Sequence, residues 1–496
     1  MIEPVTKTEE RMAGILMPIA SLPSNDGVGT LGREAYQFVD MLSQMGIRVW
    51  QILPLNPLGY GNSPYQPFSS YAGDELYIDL DMLAQEGYLK DGRPPFAAER
   101  ADRVDYQAAR AYRSGYLWTA YREFREKSWE DPEFETFREM DWVYPYAVFI
   151  ALKKQNGLRC WNEWPQEQQN WILDHKYDLS HLEDEINYQL FAQYMFYRQW
   201  MALKTYANQR NVLIMGDMPF YVGIDSLDVW SSREDFLLDE QWKPSFVAGV
   251  PPDYFSITGQ RWGNPIYNWQ NLQNKGFTFW INRLKYSSRL YDIIRIDHFR
   301  AFDTYWKIPA SCPTAVEGEW VEAPGYALFD EVYRQMPDIR IVAEDLGDLR
   351  PEVLQLRDHY HLLGMNIAVF SLPYSDEVRE HQLIYTGTHD NQTVKGWYTS
   401  MDQKTKKKLR NMLAKYGNPR ESVLKKMVRF VYQSPASMAI IPLADILGLD
   451  DEARLNTPGT VGSPNWEWRL TDWKTLRRKM AFVKTVVTAS GRTRTE

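Results

Sequence analysis

The stretch Ile293-Ile294-Arg295-Ile296-Asp297-His298-Phe299-Arg300 decides the fold, because a short, mostly apolar run ends there in a polar and acidic phrase. Short apolar runs that stop at polar or turn residues are typical of buried strands in a parallel sheet. Two later runs end in the same way, at Val342-Ala343-Glu344-Asp345 and at Thr386-Gly387-Thr388-His389-Asp390-Asn391. We therefore expect each of these carboxylates to emerge at the end of a strand, within reach of a ligand.

Runs of this kind occur eight times, and the longer segments between them have helical spacing. Strands that alternate with helices predict parallel pairing through right-handed crossovers. Eight such units match a closed (β/α)8 TIM barrel of the α/β class. The predicted strands are 14–19, 48–53, 212–215, 293–296, 339–343, 365–370, 383–385 and 438–441.

The segment between the second and third predicted strands is too long for a barrel loop. It is rich in Trp, Tyr and Glu and contains helical stretches such as 188–206. We expect an inserted, mainly helical subdomain over the catalytic face at 60–210. Residues 1–59 then carry the first two strands, and 211–496 carry the other six together with a lid loop near 249–265.

The composition excludes several classes of protein. With 496 residues, a formal net charge of -9 and a pI near 5.5, the chain is too acidic overall to favour a nucleic-acid partner, which needs clustered Lys and Arg. Its one basic run, at 404–410, is interpreted as a solvated helix face. Its two cysteines, Cys160 and Cys312, cannot form a disulfide framework and have no paired metal spacing. The polar start of the chain does not resemble a secretion signal, and no apolar run reaches membrane-spanning length. We expect a cytoplasmic enzyme that needs no metal and no cofactor.

One motif points to a different function. Gly27-Val28-Gly29-Thr30-Leu31-Gly32 has the G-x-G-x-x-G spacing of a dinucleotide site and precedes a predicted helix at 33–45. The glycines do not follow the first strand directly, and the second strand ends in Leu53-Pro54-Leu55 where an acidic ribose ligand is expected. The motif therefore predicts a flexible loop rather than a nucleotide site.

The three carboxylates suit the cleavage of a glycosidic bond, which needs a proton donor and a group that stabilises an oxocarbenium-like centre. Arg295 lies two residues before Asp297, on the same side of the strand, and would keep it ionised as a nucleophile requires. Glu344 must first hold a proton, which a dry setting and the adjacent acids could favour. Structural ion pairs or helix caps are one alternative, and a metal site that includes His298, His389, His359 or His361 is another.

These phrases resemble the conserved regions of the α-amylase clan of retaining glycosidases, with arginine and aspartate after strand four, glutamate after strand five and histidine-aspartate after strand seven. Longer stretches resemble the 4-α-glucanotransferase (amylomaltase) family, glycoside hydrolase family 77. They are Gly59-Tyr60-Gly61-Asn62-Ser63-Pro64-Tyr65-Gln66, Gly216-Asp217-Met218-Pro219, Gly249-Val250-Pro251-Pro252-Asp253-Tyr254-Phe255-Ser256 and Gly259-Gln260-Arg261-Trp262-Gly263-Asn264-Pro265.

The resemblance implies a role for each matching residue. Asp297 is the expected nucleophile, Glu344 the acid and base, and Asp390 the third acid, which grips ring hydroxyls. Tyr65 matches an aromatic platform beneath the sugar ring that is cleaved. The other expected substrate-binding residues are Asp217, Asp253, Tyr254, Trp262, Arg295, His298 and His389.

The function that the resemblance implies is transfer of a 1,4-α-glucan segment to the 4-hydroxyl of glucose or a malto-oligosaccharide. The expected partners are malto-oligosaccharides, amylose and glucans derived from starch or glycogen. Two alternatives stay open: an α-amylase-like retaining hydrolase, and a catalytically silent glucan-binding protein. A hydrolase would yield only shorter products from maltotriose.

Overall fold

The computed structural model describes residues 10–90, 92–252 and 256–493. Its centre is an eight-stranded parallel sheet, and a separate four-stranded antiparallel sheet lies beside it. The twelve strands are β1 Met12–Leu16, β2 Val49–Gln51, β3 Leu213–Met218, β4 Phe246–Val250, β5 Gln260–Pro265, β6 Ile293–Ile296, β7 Thr304–Pro309, β8 Glu319–Glu322, β9 Ile341–Ala343, β10 Gly364–Ile367, β11 Gln382–Tyr385 and β12 Met438–Pro442.

The parallel sheet closes into a barrel. Its strand order is β10-β11-β12-β1-β2-β3-β6-β9. The two end strands meet where Val342 pairs with Leu363 in a parallel bridge and the Ala343 N–H donates to the Leu363 carbonyl at 2.8 Å. All eight predicted strands are present, and the predicted (β/α)8 barrel is confirmed.

Four predicted strands, at 14–19, 48–53, 339–343 and 365–370, extend by two or more residues beyond the observed β1, β2, β9 and β10. The run at 365–370 was expected to be extended throughout, but β10 ends at Ile367 and the next four residues form a short helix. A short apolar run fits a buried strand and a buried helical turn equally well, so periodicity does not separate them.

The helices surround the barrel and fill its longest connection. They are α1 Arg33–Met45, α2 Leu80–Gln85, α3 Tyr106–Lys127, α4 Pro132–Arg138, α5 Val143–Gln155, α6 Gln166–Asp174, α7 Glu183–Gln209, α8 Leu227–Ser231, α9 Trp269–Asn274, α10 Thr278–Leu290, α11 Gly325–Gln335, α12 Pro351–His359, α13 Ala368–Ser371, α14 Val394–Ser400, α15 Gln403–Met412, α16 Val423–Gln433, α17 Leu443–Leu447 and α18 Lys474–Ala489. None of the helices in the described ranges is long and apolar enough to cross a membrane.

The connection between β2 and β3 contains α2 to α7 and no named strand among its described residues. Gln193 and Gln199 of α7 bond the main chain of Gly73 and Asp79, which fastens the start of this connection to its last helix. Further along α7, the Trp200 indole donates to the Leu290 carbonyl of α10 at 3.1 Å. The division of the chain at residues 60 and 210 stays a prediction.

The antiparallel sheet has the order β5-β4-β7-β8, and its strands follow the barrel strands β3 and β6 in the chain. Strand β4 pairs with β5, so the two ends of the predicted lid segment 249–265 are strands rather than loop. Strand β7 begins seven residues after Asp297 and pairs with β4. The sheet therefore lies next to the carboxyl end of β6.

The glycines of the 27–32 motif allow close packing. A Cβ atom on Gly29 would lie 1.8 Å from the Ile19 carbonyl oxygen, and one on Gly32 would lie 1.9 Å from Oδ2 of Asp79. The segment is buried, and the Gly29 N–H donates to the Ala20 carbonyl at 3.0 Å. The segment is a loop, as predicted, but these tight contacts bury it, so the expected flexibility is not what the packing indicates.

Candidate active site

Asp297 and Glu344 leave the barrel side by side. Ile296 of β6 pairs with Ala343 of β9, so the next residue of each strand is one of the two acids. The Glu344 N–H donates to the Ile296 carbonyl at 3.0 Å, and the Phe299 N–H donates to the Glu344 carbonyl at 3.0 Å. The main chain alone therefore sets the two carboxylates on adjacent strand ends.

Arg295 joins two carboxylates beneath this pair. Its Nη1 lies 2.6 Å from Oδ1 of Asp217 and 3.1 Å from Oδ1 of Asp297. Asp217 sits opposite Arg295 in the pairing of β3 with β6, which explains the first contact. The Arg295 side chain is 4% exposed and that of Asp217 is 0% exposed, so the ion pair is dry. Arg295 is thereby held against Asp297.

The charge of Arg295 is only one of the influences on the pKa of Asp297. The guanidinium favours the charged carboxylate, as expected, but burial is the larger cause and raises the pKa of Asp297 above its ordinary value. Asp217 and Asp390 add to the rise. The Asp297 side chain is 33% exposed, which leaves it open to a ligand.

The second acid of the pair, Glu344, also has a raised pKa. Burial and, second, the charge of Asp297 raise the pKa of Glu344 to about 8, although Arg295 opposes them. The His298 N–H donates to Oε2 at 2.8 Å and the Leu346 N–H donates to Oε1 at 3.2 Å, which orients the carboxyl group. At neutral pH this group holds a proton.

Asp345, the next residue in the sequence, is not the cause of the raised pKa of Glu344. Asp345 was expected to help raise the pKa of Glu344, but it turns away from the pocket. Its Oδ1 accepts the Met365 N–H at 2.6 Å, and its Oδ2 accepts from Nη1 of Arg357 at 2.5 Å. The acid that acts on Glu344 is Asp297, on the adjacent strand.

His298 lines the pocket as a neutral ring. Its backbone has a φ of 53°, the left-handed region, which ends β6 and turns the chain back. Its ring meets Trp262 edge to face at 4.8 Å between centroids. Burial and the nearby charge of Arg300 lower the pKa of His298 to about 3. Its Nε2 is buried and bonds no other residue in the described part of the chain.

The opposite side of the pocket carries His389 and Asp390, with Tyr65 between the two sides. The Tyr65 hydroxyl donates to Oδ2 of Asp217 at 2.8 Å and lies 2.9 Å from Nε2 of His389. Since a hydroxyl has one proton, Nε2 of His389 must be the donor in the second bond. The same Nε2 lies 3.5 Å from Oδ2 of Asp390. A continuous polar chain thus runs from Arg295 to Asp390.

Two residues that the sequence did not reveal hold the third acid. Nδ2 of Asn456 donates to Oδ1 of Asp390 at 2.6 Å, and Nη2 of Arg454 donates to the Asp390 carbonyl at 2.8 Å. Nε of Arg454 also donates to the Asn456 carbonyl at 2.7 Å. Both residues belong to the connection between α17 and α18, whose Asn-Thr-Pro-Gly sequence predicts a turn but no contact.

The remaining predicted residues divide into three groups. Asp217 lies in the site, but both its carboxylate oxygens are already bonded. Asp253 and Tyr254 lie outside the described residues and stay predictions. Of the histidines in the metal alternative, His359 and His361 precede β10 at the amino end of the barrel, away from the acids. In the described ranges no three His, Cys, Asp or Glu residues are grouped as metal ligands.

Comparison with known proteins identifies the family. The glycoside hydrolase family 77 profile, described as 4-alpha-glucanotransferase, matches residues 17–475. The 4-alpha-glucanotransferase of Thermus thermophilus is 44% identical over 93% of this chain and 95% of its own, and that of Streptococcus pneumoniae is 41% identical over 94% of each. The amylomaltase from Streptococcus agalactiae, solved in complex with acarbose, superposes with a TM-score of 0.92 at 35% identity, over 98% of this chain and 100% of that one. The chain therefore belongs to the 4-alpha-glucanotransferase family.

Proposed function

We propose that this enzyme transfers 1,4-α-glucan segments by two displacements, with Asp297 as nucleophile and Glu344 as acid and then base. The observation that carries the proposal is the contrast between two adjacent carboxyl groups. Asp297 is paired with Arg295 at 3.1 Å, whereas burial and Asp297 raise the pKa of Glu344 to about 8. A pair of acids whose surroundings separate their pKa values suits the donor and acceptor roles of a retaining glycosidase.

In the first step, Glu344 gives its proton to the glycosidic oxygen as the bond from that oxygen to the anomeric carbon breaks. The Asp297 carboxylate supplies the electron pair of the new bond to the anomeric carbon, and the leaving glucan departs with a free 4-hydroxyl. The product is a covalent β-glucosyl ester on Asp297. Arg295, fixed by Asp217, aligns the attacking oxygen.

In the second step Glu344 acts as a base, because the first step has removed the negative charge of Asp297. Once Asp297 is esterified it is neutral, so the second largest cause of the raised pKa of Glu344 disappears. Its pKa falls, and the Glu344 carboxylate then takes the proton of the acceptor's 4-hydroxyl. The acceptor oxygen attacks the anomeric carbon, the ester bond breaks, and the α configuration returns.

Groups across the pocket bind the sugar in this proposal. Asp390 keeps 43% of its side chain exposed, which leaves carboxylate lone pairs for ring hydroxyls. Nε2 of His298 is buried without a partner among the described residues and can bond one further hydroxyl. Tyr65 packs against His389 with 5.3 Å between ring centroids and offers an aromatic surface to the apolar face of a pyranose.

Transfer also requires that a sugar acceptor outcompete water. With water near 55 molar and an acceptor near a millimolar, the preference must approach roughly 10⁵, or about 6 kcal/mol between the two transition states. Aromatic acceptor contacts and exclusion of water are the means available to such a site. Trp262, packed on His298, is one such contact.

We also propose that the partners are malto-oligosaccharides and longer α-glucans, and that the enzyme works in the cytoplasm. Two free cysteines, Cys160 and Cys312, and the acidic composition support a reducing compartment without nucleic acid.

Incubation with maltotriose tests the proposed reaction. Transfer yields glucose together with a ladder of longer malto-oligosaccharides, which chromatography resolves. Products no longer than maltotriose would instead indicate a hydrolase, and an unchanged substrate would indicate a binding protein. Trapping with a fluorinated donor, followed by mass spectrometry of the peptide that contains Asp297, tests the covalent step.

A further inference from the structure

We propose that Trp320 and Arg300 form an outer binding platform for the α-glucan chain, beyond the pocket that holds the reacting sugar. The proposal rests on the proposed function, because it concerns the same substrate and a more distant part of it. It names Trp320, which none of the sequence motifs includes, and it gives Arg300 a role beyond the effect of its charge on His298.

Trp320 is an exposed aromatic residue with a fixed orientation. It lies in β8, the edge strand of the antiparallel sheet, and 42% of its surface is accessible. Its partner across the sheet is Trp306, whose ring meets it at 5.2 Å and 62°. Nε1 of Trp306 donates to the Ala315 carbonyl at 3.0 Å, which anchors that ring. Trp320 thus presents an apolar surface of fixed orientation to solvent.

Arg300 supplies polar groups at the edge of this surface. Its guanidinium carbon lies 4.1 Å from the centre of the Trp320 ring. Within the described part of the chain, its one hydrogen bond is from Nη1 to the Asp348 carbonyl at 2.7 Å. An arginine has five N–H donors, so Nη2 keeps donors for a ligand beside the ring.

The position of Arg300 connects the platform with the catalytic pocket. Arg300 follows Asp297 by three residues, so their Cα atoms are within about 11 Å of each other. Asp348, its acceptor, lies in the loop that leaves Glu344. A glucan that occupies the pocket and extends along this side would reach Trp320 within a few sugar units.

The chemistry favours a sugar over a protein partner. An aromatic face packs on the apolar face of a pyranose, while adjacent N–H donors bond its hydroxyls. Glu322 lies two residues after Trp320 in β8 and so on the same face of the sheet, and a single ring beside a carboxylate is a poor apolar core for a protein interface. We therefore assign the surface to the outer part of a long α-glucan.

The test compares a long with a short substrate. For Trp320→Ala, the ratio of kcat/KM for amylose to kcat/KM for maltotriose should fall by roughly fivefold to tenfold, the loss expected for one aromatic stacking contact. Trp320→Phe keeps an aromatic face and should recover most of the ratio. Electrophoresis through gels that contain amylose gives a direct reading of binding, in which the Ala variant should be retarded less than the unmodified enzyme.

The control is Tyr326→Ala, which removes a ring of similar exposure, 46%, that packs on His359 at 5.3 Å. An equal fall in the ratio for the two Ala variants, or unchanged retardation of Trp320→Ala, would overturn the platform. If the unmodified enzyme forms no ladder from maltotriose, the proposed reaction fails, and retardation in the amylose gel still decides whether Trp320 binds glucan.

Discussion

Glu344 and Asp390 face the same pocket but are held by different means. Glu344 follows β9, and two main-chain N–H groups bond its carboxyl oxygens. Asp390 lies in the loop after β11, and a side chain from another loop, Asn456, bonds its Oδ1. Burial raises the pKa of Glu344 to about 8, whereas the Asp390 side chain stays 43% exposed.

The different settings of Glu344 and Asp390 suit two different roles, proton transfer and sugar binding. A group that transfers protons needs a dry, fixed position, and adjacent strands of a barrel provide one through their own backbone. A group that grips sugar hydroxyls must stay accessible, so it sits on a loop and depends on contacts from elsewhere in the chain. We therefore expect changes on the strand side to affect chemistry and changes on the loop side to affect sugar binding.

The largest effect should come from Asp297→Asn. The amide cannot form the ester, so we expect transfer from maltotriose to fall by roughly 10⁴-fold or more, as for other lost nucleophiles. Steady-state rates measure the loss, and calorimetry should show that maltotriose still binds.

Asp338→Asn makes the same chemical change on an exposed residue near the amino end of β9 and should keep the normal rate. Near-normal turnover by Asp297→Asn would refute its role and would remove the basis for assigning the chemistry to the strand side.

The next effect concerns the proton on Glu344. Because the protonated form is the acid and burial raises its pKa to about 8, kcat/KM should be level near neutrality and decline above pH 8. Asp297 must be ionised, and since burial raises its pKa, the acid limb should lie above the ordinary aspartate range near 3.9.

Glu344→Gln should reduce the rate by roughly 10²–10⁴-fold and abolish the alkaline limb. The pH profile of kcat/KM for maltotriose measures both. An alkaline limb that persists in the Gln variant would assign it to a different group.

The smallest of the three effects should follow Asn456→Ala, on the loop side. Loss of a hydrogen bond to a charged group costs about 1.5–3 kcal/mol, so kcat/KM should decrease roughly tenfold to hundredfold through Asp390. The alkaline limb near pH 8 should not move, because Glu344 is untouched.

Asn274→Ala, at the end of α9, is the matched control and should behave as the unmodified enzyme. If Asn456→Ala displaced the alkaline limb instead of lowering kcat/KM, the two sides of the pocket would not be independent.

The local sequence was sufficient to predict those features that depend only on short segments, such as the barrel strands and the acids that follow them. Strands buried on both faces need nearly continuous apolar runs, so the run at 293–296 marked β6 correctly, and Asp297 had to follow at its carboxyl end. The same rule located Glu344 after β9. It did not separate strand from helix at 368–370, where both are apolar.

Contacts between distant loops were not predictable in this way. Asn456 and Asp390 are 66 residues apart, and no pattern in the sequence around either residue predicts their contact. The occupation of both Asp217 oxygens likewise depends on Tyr65, 152 residues away. Such contacts depend on how the loops fold over the barrel.

The order of residues along the chain was enough to specify a barrel and to set three carboxylates at its mouth, because burial periodicity and strand direction are properties of short segments. The tertiary structure alone decided that Asp217 holds Arg295 against Asp297, that the charge of Asp297 rather than that of Asp345 raises the pKa of Glu344, and that Asp390 stays exposed. Each of those properties depends on distances between charges and on excluded water, which arise only when separate strands and loops come together.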